Sequence, residues 1–164
     1  MTAYHALDSD AQRTLLTALR DTSWSWKEAD VPAVIARLGW EIAKLSPTFS
    51  ATVDPGHGLG PRAYRFSFRD GRVSDVTLRI SEMVEEDDSA GQLFLGDVFA
   101  GAKAVGTEVL GAPAGITPGK QPQVRWRGAE ATIILQSLPT VVTVFWRYNE
   151  RQDELDRIAE NFKR

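Results

Sequence analysis

YRFSFRDGRVSDVTLRI, residues 64–80, is the stretch that decides the fold. Tyr64, Phe66 and Phe68 alternate with Arg65, Ser67 and Arg69, and Val76, Leu78 and Ile80 alternate with Thr77 and Arg79, so each half reads as a strand with one apolar face. Asp70-Gly71 separates the halves. That dipeptide is the preferred two-residue hairpin turn, because both central positions need positive φ, which Gly adopts freely and Asp tolerates. The stretch therefore predicts an antiparallel hairpin, and the rest of the chain has to fit an antiparallel sheet.

Toward the N-terminus, Phe49, Ala51 and Val53 alternate in the same way and are cut off from Tyr64 by a loop, Asp54-Pro55-Gly56-His57-Gly58-Leu59-Gly60-Pro61. Before them the period is helical. Asp30 as N-cap, Pro32 in the first turn, Val31, Val34, Ile35 and Leu38 as a stripe and Gly39 as a stop predict a short helix. An earlier helix should begin near Ser9, where Ser9 and Gln12 have capping-box spacing and Ala11, Leu15, Ala18 and Leu19 share a face. Toward the C-terminus, Ser89 and Gln92 offer a second capping box, followed by Phe94, Val98, Ala102, Val105 and Val109 as a core-facing stripe. Glycines recur through that helix every five residues from Gly91 to Gly111, a period that matches neither helix nor strand and is read as chance, with close packing of helix on sheet as the alternative use. Residues 112–122 are rich in Pro and Gly and read as a loop. Three strands follow, around Val124–Trp126, Ile133–Leu135 and Val141–Tyr148, the last apolar on both parities and so expected to be central. A final helix from about Glu150 has Leu155, Ile158, Ala159 and Phe162 on one face, which should be buried. The order αα-βββ-α-βββ-α predicts an α+β fold: a mostly antiparallel sheet of about six strands with helices packed mainly on one face, residues 1–164 forming a single domain.

At 164 residues, with 43% hydrophobic and 25% charged residues, the chain can bury a core without metal or disulfide staples. It has no Cys, which removes thiolate catalysis and zinc-thiolate or iron-sulfur sites. It has no apolar run long enough to span a bilayer, and its start, MTAYHALDSDAQ, lacks the segments of a signal peptide. A cytoplasmic location with no membrane contact is the expectation. A net charge of −3 with scattered Lys and Arg argues against a nucleic-acid footprint and favours a basic partner.

The residues that could carry chemistry are few. His5 and His57 are the two histidines; His5 is close to an N-terminus expected to be loose, and His57 sits in the glycine loop, where no Gly-x-Ser-x-Gly elbow presents a serine to it. Gly56, Gly58 and Gly60 could cradle phosphate only if they opened a helix, and here a strand follows, so positive φ in a wide turn is the better reading. Glu82-Met-Val-Glu85-Glu86-Asp87-Asp88 could bind a hard cation, pair as acid and base, meet a basic partner, or simply stabilise the positive end of the following helix. Adjacent carboxylates seldom converge on one ion, so neither a metal nor a cofactor is expected. Trp24 and Trp26, two apart in a segment expected to be extended, would point the same way, as core lid or as binding hot spot. Trp40, Trp126 and Trp146 are assigned to packing.

Trp24-Ser-Trp26, Leu38-Gly39-Trp40-Glu41, Thr52-Val-Asp54-Pro55-Gly56, Gly71-Arg72-Val73-Ser74-Asp75-Val76 and Val124-Arg-Trp126-Arg127, in this order, resemble a family of small uncharacterised actinobacterial proteins. The likeness covers most of the chain and rests on turns and core positions rather than on catalytic residues, so no residue role is carried over. Proteins of this sort resemble immunity factors encoded beside secreted polymorphic toxins, such as the immunity factor of tuberculosis necrotizing toxin, an NAD glycohydrolase. The resemblance implies a non-enzymatic protein binder that blocks a cognate toxin and is a monomer or weak dimer when free. The expected contacts are loop 54–62, with Asp54, His57 and Arg62, the acidic residues Glu85, Glu86, Asp87 and Asp88, and Trp24 and Trp26. Two rival expectations are a secretion chaperone that binds one effector, and a small-ligand or enzyme domain using loop 54–62.

Overall fold

The computed structural model describes residues 4–162. In chain order the elements are α1 (Ser9–Asp21), a single 3-10 turn (Glu28–Asp30), α2 (Val31–Arg37), β1 (Glu41–Ser46), β2 (Ser50–Asp54), β3 (Tyr64–Arg69), β4 (Arg72–Arg79), α3 (Ser89–Leu110), β5 (Gly115–Thr117), β6 (Gln123–Arg127), β7 (Ala131–Ser137), β8 (Val142–Tyr148) and α4 (Asn149–Phe162).

The hairpin forms where the sequence puts it: Asp70 and Gly71 have φ of 53° and 74°, and Arg69 pairs with Arg72 across the turn. The strands make one antiparallel sheet in the order β1-β2-β3-β4-β8-β7-β6-β5. The final strand is interior, as its two-sided apolar run requires, lying between β4 and β7. The sheet has eight strands rather than six. The two extra strands are its edges. β1 is exposed along nearly its whole length and carries a register shift between Ile42 and Lys44, so its sequence shows no alternation; β5 is three residues within the Pro- and Gly-rich stretch read as loop.

α1 starts at Ser9, but the cap is Asp8, whose Oδ1 accepts the Ala11 N–H at 2.8 Å. Gln12, expected to close a capping box, is buried instead and donates to the Leu7 carbonyl at 2.9 Å. α3 is likewise preceded by Asp88 rather than capped by Ser89, and Gln92 reaches across to the Pro139 carbonyl. At α1 a carboxylate one residue earlier takes the place of the hydroxyl at the helix start. α2 follows its sequence signals, from Asp30 to a Gly39 with φ of 77°.

α1, α2 and α3 share one apolar cluster with the sheet face that carries Phe66, Val76, Leu78, Val144, Trp146, Leu135 and Trp126. The opposite face, in register through Thr132, Arg147, Arg125 and Arg127, is met by α4. This contact corrects the expectation for the last helix. Asp153 and Asp156 pair with Arg127 and Arg125 at 2.8 Å, and Gln152 accepts from Arg147 at 3.0 Å, so the polar side of α4 faces the sheet. Its apolar side is left outward, with Ile158 43% and Phe162 86% exposed.

The five-residue glycine period has no single cause. Gly106 brings α3 against the Trp126 ring, a close packing that any Cβ would obstruct, whereas Gly96 and Gly101 face open space.

Candidate functional site

An antiparallel sheet delivers alternate loops to the same end. Here the β2–β3 loop, the segment after β4 and the β7–β8 turn emerge together, so the glycine loop and the acidic run meet at one end of the sheet. The tie between them is the N-terminal segment. Leu7 N–H donates to the Ile80 carbonyl at 2.9 Å, Glu82 N–H donates to the His5 carbonyl at 2.8 Å, and His5 N–H donates to Glu82 Oε1 at 3.0 Å. The His5 ring then reaches the glycine loop, its Nε2 lying 3.0 Å from the His57 carbonyl oxygen, while the Tyr4 hydroxyl bonds Asp88. His5 and Tyr4 thus belong to the site, and the segment expected to be loose is paired with the sheet. Nothing in their spacing announced it, because the contacts are long-range.

The glycine loop is a shaped turn. Gly56, Gly58 and Gly60 all have positive φ, Asp54 Oδ1 accepts the Gly56 N–H at 2.8 Å, and Leu59 is buried while its carbonyl accepts from Arg79. A strand follows it, as read from the sequence, and its glycines serve backbone shape. His57 is half-buried with its ring centroid 6.4 Å from that of Tyr64, and Arg62 is exposed. Among the described residues, no hydrogen bond joins the His57 imidazole to a serine or a carboxylate.

The acidic run is pinned rather than free. Val84 is 6% exposed and its N–H donates to the Thr140 carbonyl at 2.8 Å; Gly91 makes room for Val84 and Asp88, whose atoms would stand 2.8 and 2.9 Å from a Cβ there. Asp88 is engaged: the Tyr4 hydroxyl, then the amides of Gly91 and Ala90, hold its carboxyl below the usual carboxylate range. Glu85, Glu86 and Asp87 are exposed and form no ion pair among the described residues. Two large apolar side chains flank them, Met83 at 59% exposure and Leu93 at 74%. The sequence reading missed both; for Leu93 the signal was its position outside the α3 stripe, and for Met83 no local pattern separates it from Val84. Among the described residues no group of three His, Asp or Glu is arranged to hold a metal ion, and no helix is long and apolar enough to cross a membrane.

Trp24 and Trp26 lie away from this end, and Trp26 is a correction. It is 4% exposed, with φ of 61°, its carbonyl accepting the Val73 N–H at 2.8 Å and its ring centroid 4.7 Å from that of Trp146. The positive φ turns the indole into the core instead of along an extended strand, so it has no face for a partner. Trp24 is half-buried against both rings.

A family model described as a family of unknown function, DUF6301, matches residues 10–148, and the chain belongs to that family. No curated protein and no solved structure matches it.

Proposed function

We propose that this member of the DUF6301 family is an immunity protein that binds and inhibits a cognate secreted toxin, with an NAD glycohydrolase as the toxin class suggested by its sequence resemblance. The reading is carried by one observation: a pinned ridge bearing unpaired Glu85, Glu86 and Asp87 is flanked by exposed Met83 and Leu93. Exposed apolar side chains beside charge of one sign suit a protein partner, and the sign selects a basic one. Loop 54–62, with Asp54, His57 and Arg62, adjoins this ridge and extends the surface. The interface requires only complementarity; it does not require the ridge to move or react.

The test compares the tagged protein with its E85K/E86K/D87K variant in capture from host lysate, followed by an activity assay of whatever is recovered. Exposed charge pairs contribute roughly 0.2–1 kcal/mol each, so three reversals should weaken binding by roughly threefold to two hundredfold. The expected result is one partner recovered stoichiometrically by the wild type, enzymatically silent while bound, and lost by the variant. Undiminished capture by that variant after adding H57A and R62A would place the interface elsewhere.

A secretion chaperone is the second reading, favoured by the exposed apolar residues on β1 and α4, Ile42, Leu45, Ile158 and Phe162. It differs in outcome: a chaperone's client keeps its activity in the complex and is bound through those apolar residues, not through the acidic ridge.

A further inference from the structure

An edge strand carries a row of backbone N–H and C=O groups that no neighbouring strand meets. β1 is such an edge: it pairs with β2 on one side only, and every residue from Glu41 to Leu45 is exposed. Two of these are large apolar side chains that the core leaves uncovered, Ile42 at 36% exposure and Leu45 at 46%. Leu45 also lines a shallow surface hollow with Glu28, Ala29, Pro32, Pro47 and Gly71.

The register shift between Ile42 and Lys44 sets what this edge can accept. In a regular strand Ile42 and Leu45 would stand on opposite faces, because side chains alternate. Here Ile42 lies opposite Val53 and Leu45 opposite Ala51, both fully buried, so the extra residue Ala43 brings the two apolar side chains to the helix-covered face. Glu41 and Lys44, opposite Asp54 and Thr52, share the other face. Neither Glu41 nor Lys44 has an ion-pair partner among the described residues.

That arrangement is self-complementary. When β1 is paired antiparallel with a twofold-related copy over its whole length, Glu41 stands opposite the partner's Ser46, Ile42 opposite the partner's Leu45 and Ala43 opposite the partner's Lys44. Without the bulge the same pairing would set apolar faces against polar ones. With it, two Ile42–Leu45 contacts form on the helix-covered face. On the other face each Glu41 is a diagonal neighbour of the partner's Lys44, within reach of long side chains. The two lysines flank the twofold axis, and a glutamate from the opposite copy offsets each.

We propose that β1 is a homodimer interface, two copies of this chain joining their sheets edge to edge across Glu41–Ser46. The pairing is isologous, so it consumes the edge in both copies and closes at two. Glu41 lies beside Asp54, where the glycine loop begins, so the twofold sets the two acidic ridges at opposite ends of the joined sheet. The dimer is therefore independent of the proposed toxin-binding surface and is tested without a toxin. A six-residue edge buries less than the roughly 1,600 Å2 of a standard interface, which places the dissociation constant in the micromolar range.

Sedimentation velocity on the full chain, over a concentration series reaching about 1 mM, should show monomer passing to dimer. Leu45→Lys should remove the dimer. Glu41→Lys should weaken it by about two- to thirtyfold, the effect of losing two exposed charge pairs, and Glu41→Lys combined with Lys44→Glu in one chain should restore it. Circular dichroism confirms that each variant is folded. The chain has no Cys, so cross-linking reads the register directly. Ile42→Cys mixed with Leu45→Cys should give a disulfide-linked dimer on oxidation, and Ile42→Cys alone should not, because its own copies lie too far apart. Should Leu45→Lys unfold the chain, the wild-type series and the cross-links still decide. A chain monomeric throughout the series overturns the assignment, including one whose β1 pairs only with a strand of another protein. So does a dimer that Leu45→Lys leaves intact, or Ile42→Cys cross-linking to itself.

Discussion

Gly106 is the position where the packing of helix on sheet can be tested with one methyl group. A Cβ there would stand 2.5 Å from Trp126 Cη2 and 2.7 Å from Cζ2, against roughly 3.5–4.0 Å for an ordinary carbon contact. About 1 Å therefore has to be found, and neither side gives it cheaply. Trp126 is 4% exposed and anchored by its bond to the Gly111 carbonyl, and Gly106 lies in the buried part of α3. Overpacking of this kind costs about 1–3 kcal/mol. Replacing a helical Gly by Ala also stabilises by up to about 1 kcal/mol through backbone entropy, which would blur the result if read alone. Gly101 supplies the reference, because it lies in the same helix, is exposed, and has nothing within 4 Å of a Cβ. The propensity gain cancels between the two variants, leaving the overpacking. In a chain of this size 1 kcal/mol moves the midpoint by about 2–4 °C, so Gly106→Ala should melt roughly 2–12 °C below Gly101→Ala by circular dichroism. A Gly106→Ala protein melting at or above Gly101→Ala would refute the claim that this glycine exists to admit Trp126.

Truncating Trp26 to Ala should cost about 3–5 kcal/mol in urea unfolding, since the ring is core despite its place in a connecting segment; a loss below 1 kcal/mol would return it to the surface. Gly71→Ala should cost about 1 kcal/mol or more, because the hairpin requires φ of 74° there, and a neutral result would mean the turn had changed type. Arg127 beside it is the main cause that holds the Asp153 carboxyl below its ordinary 3.8. A depressed carboxylate stabilises above its unfolded value and the stabilisation is lost as pH falls through the folded one. Protection of the α4 amides, taken against their intrinsic exchange rates, should therefore fall as pH drops below about 3.8, and Arg127→Ala should remove that fall while lowering protection at neutral pH; an acid response unchanged by Arg127→Ala would exclude this pair as the anchor. Tyr4→Phe should move the Asp88 titration up toward 3.8 in an NMR measurement, and no movement would mean that the hydroxyl does not bond it.

The sheet interior was legible because burial on one face imposes alternation, and Asp70-Gly71 named its own turn. The edges were not. β1 has solvent on most of its surface and a shifted register, so nothing in Glu41–Ser46 is forced to alternate, and β5 is too short to show a period. For α4 the apolar stripe was read correctly as a pattern, but the partner that decides its orientation is a row of arginines on the sheet's outer face, Arg125, Arg127 and Arg147, whose alignment depends on strand order. The candidate site divides in the same way. Glu85, Glu86, Asp87 and the glycine loop could be named from composition and turn chemistry. Their meeting at one end, and the part played by Tyr4 and His5 in joining them, follows only from the pairing of the N-terminal segment with Ile80 and Glu82. Trp26 was ambiguous because its positive φ is not encoded in a local motif.

The most direct test of toxin binding through the acidic ridge is hydrogen–deuterium exchange on the complex with the captured partner. Binding through the ridge predicts slowed exchange over residues 54–62 and 82–93, with β1 and α4 unchanged. Slowed exchange confined to β1 and α4, with the ridge as open as in the free protein, would contradict it.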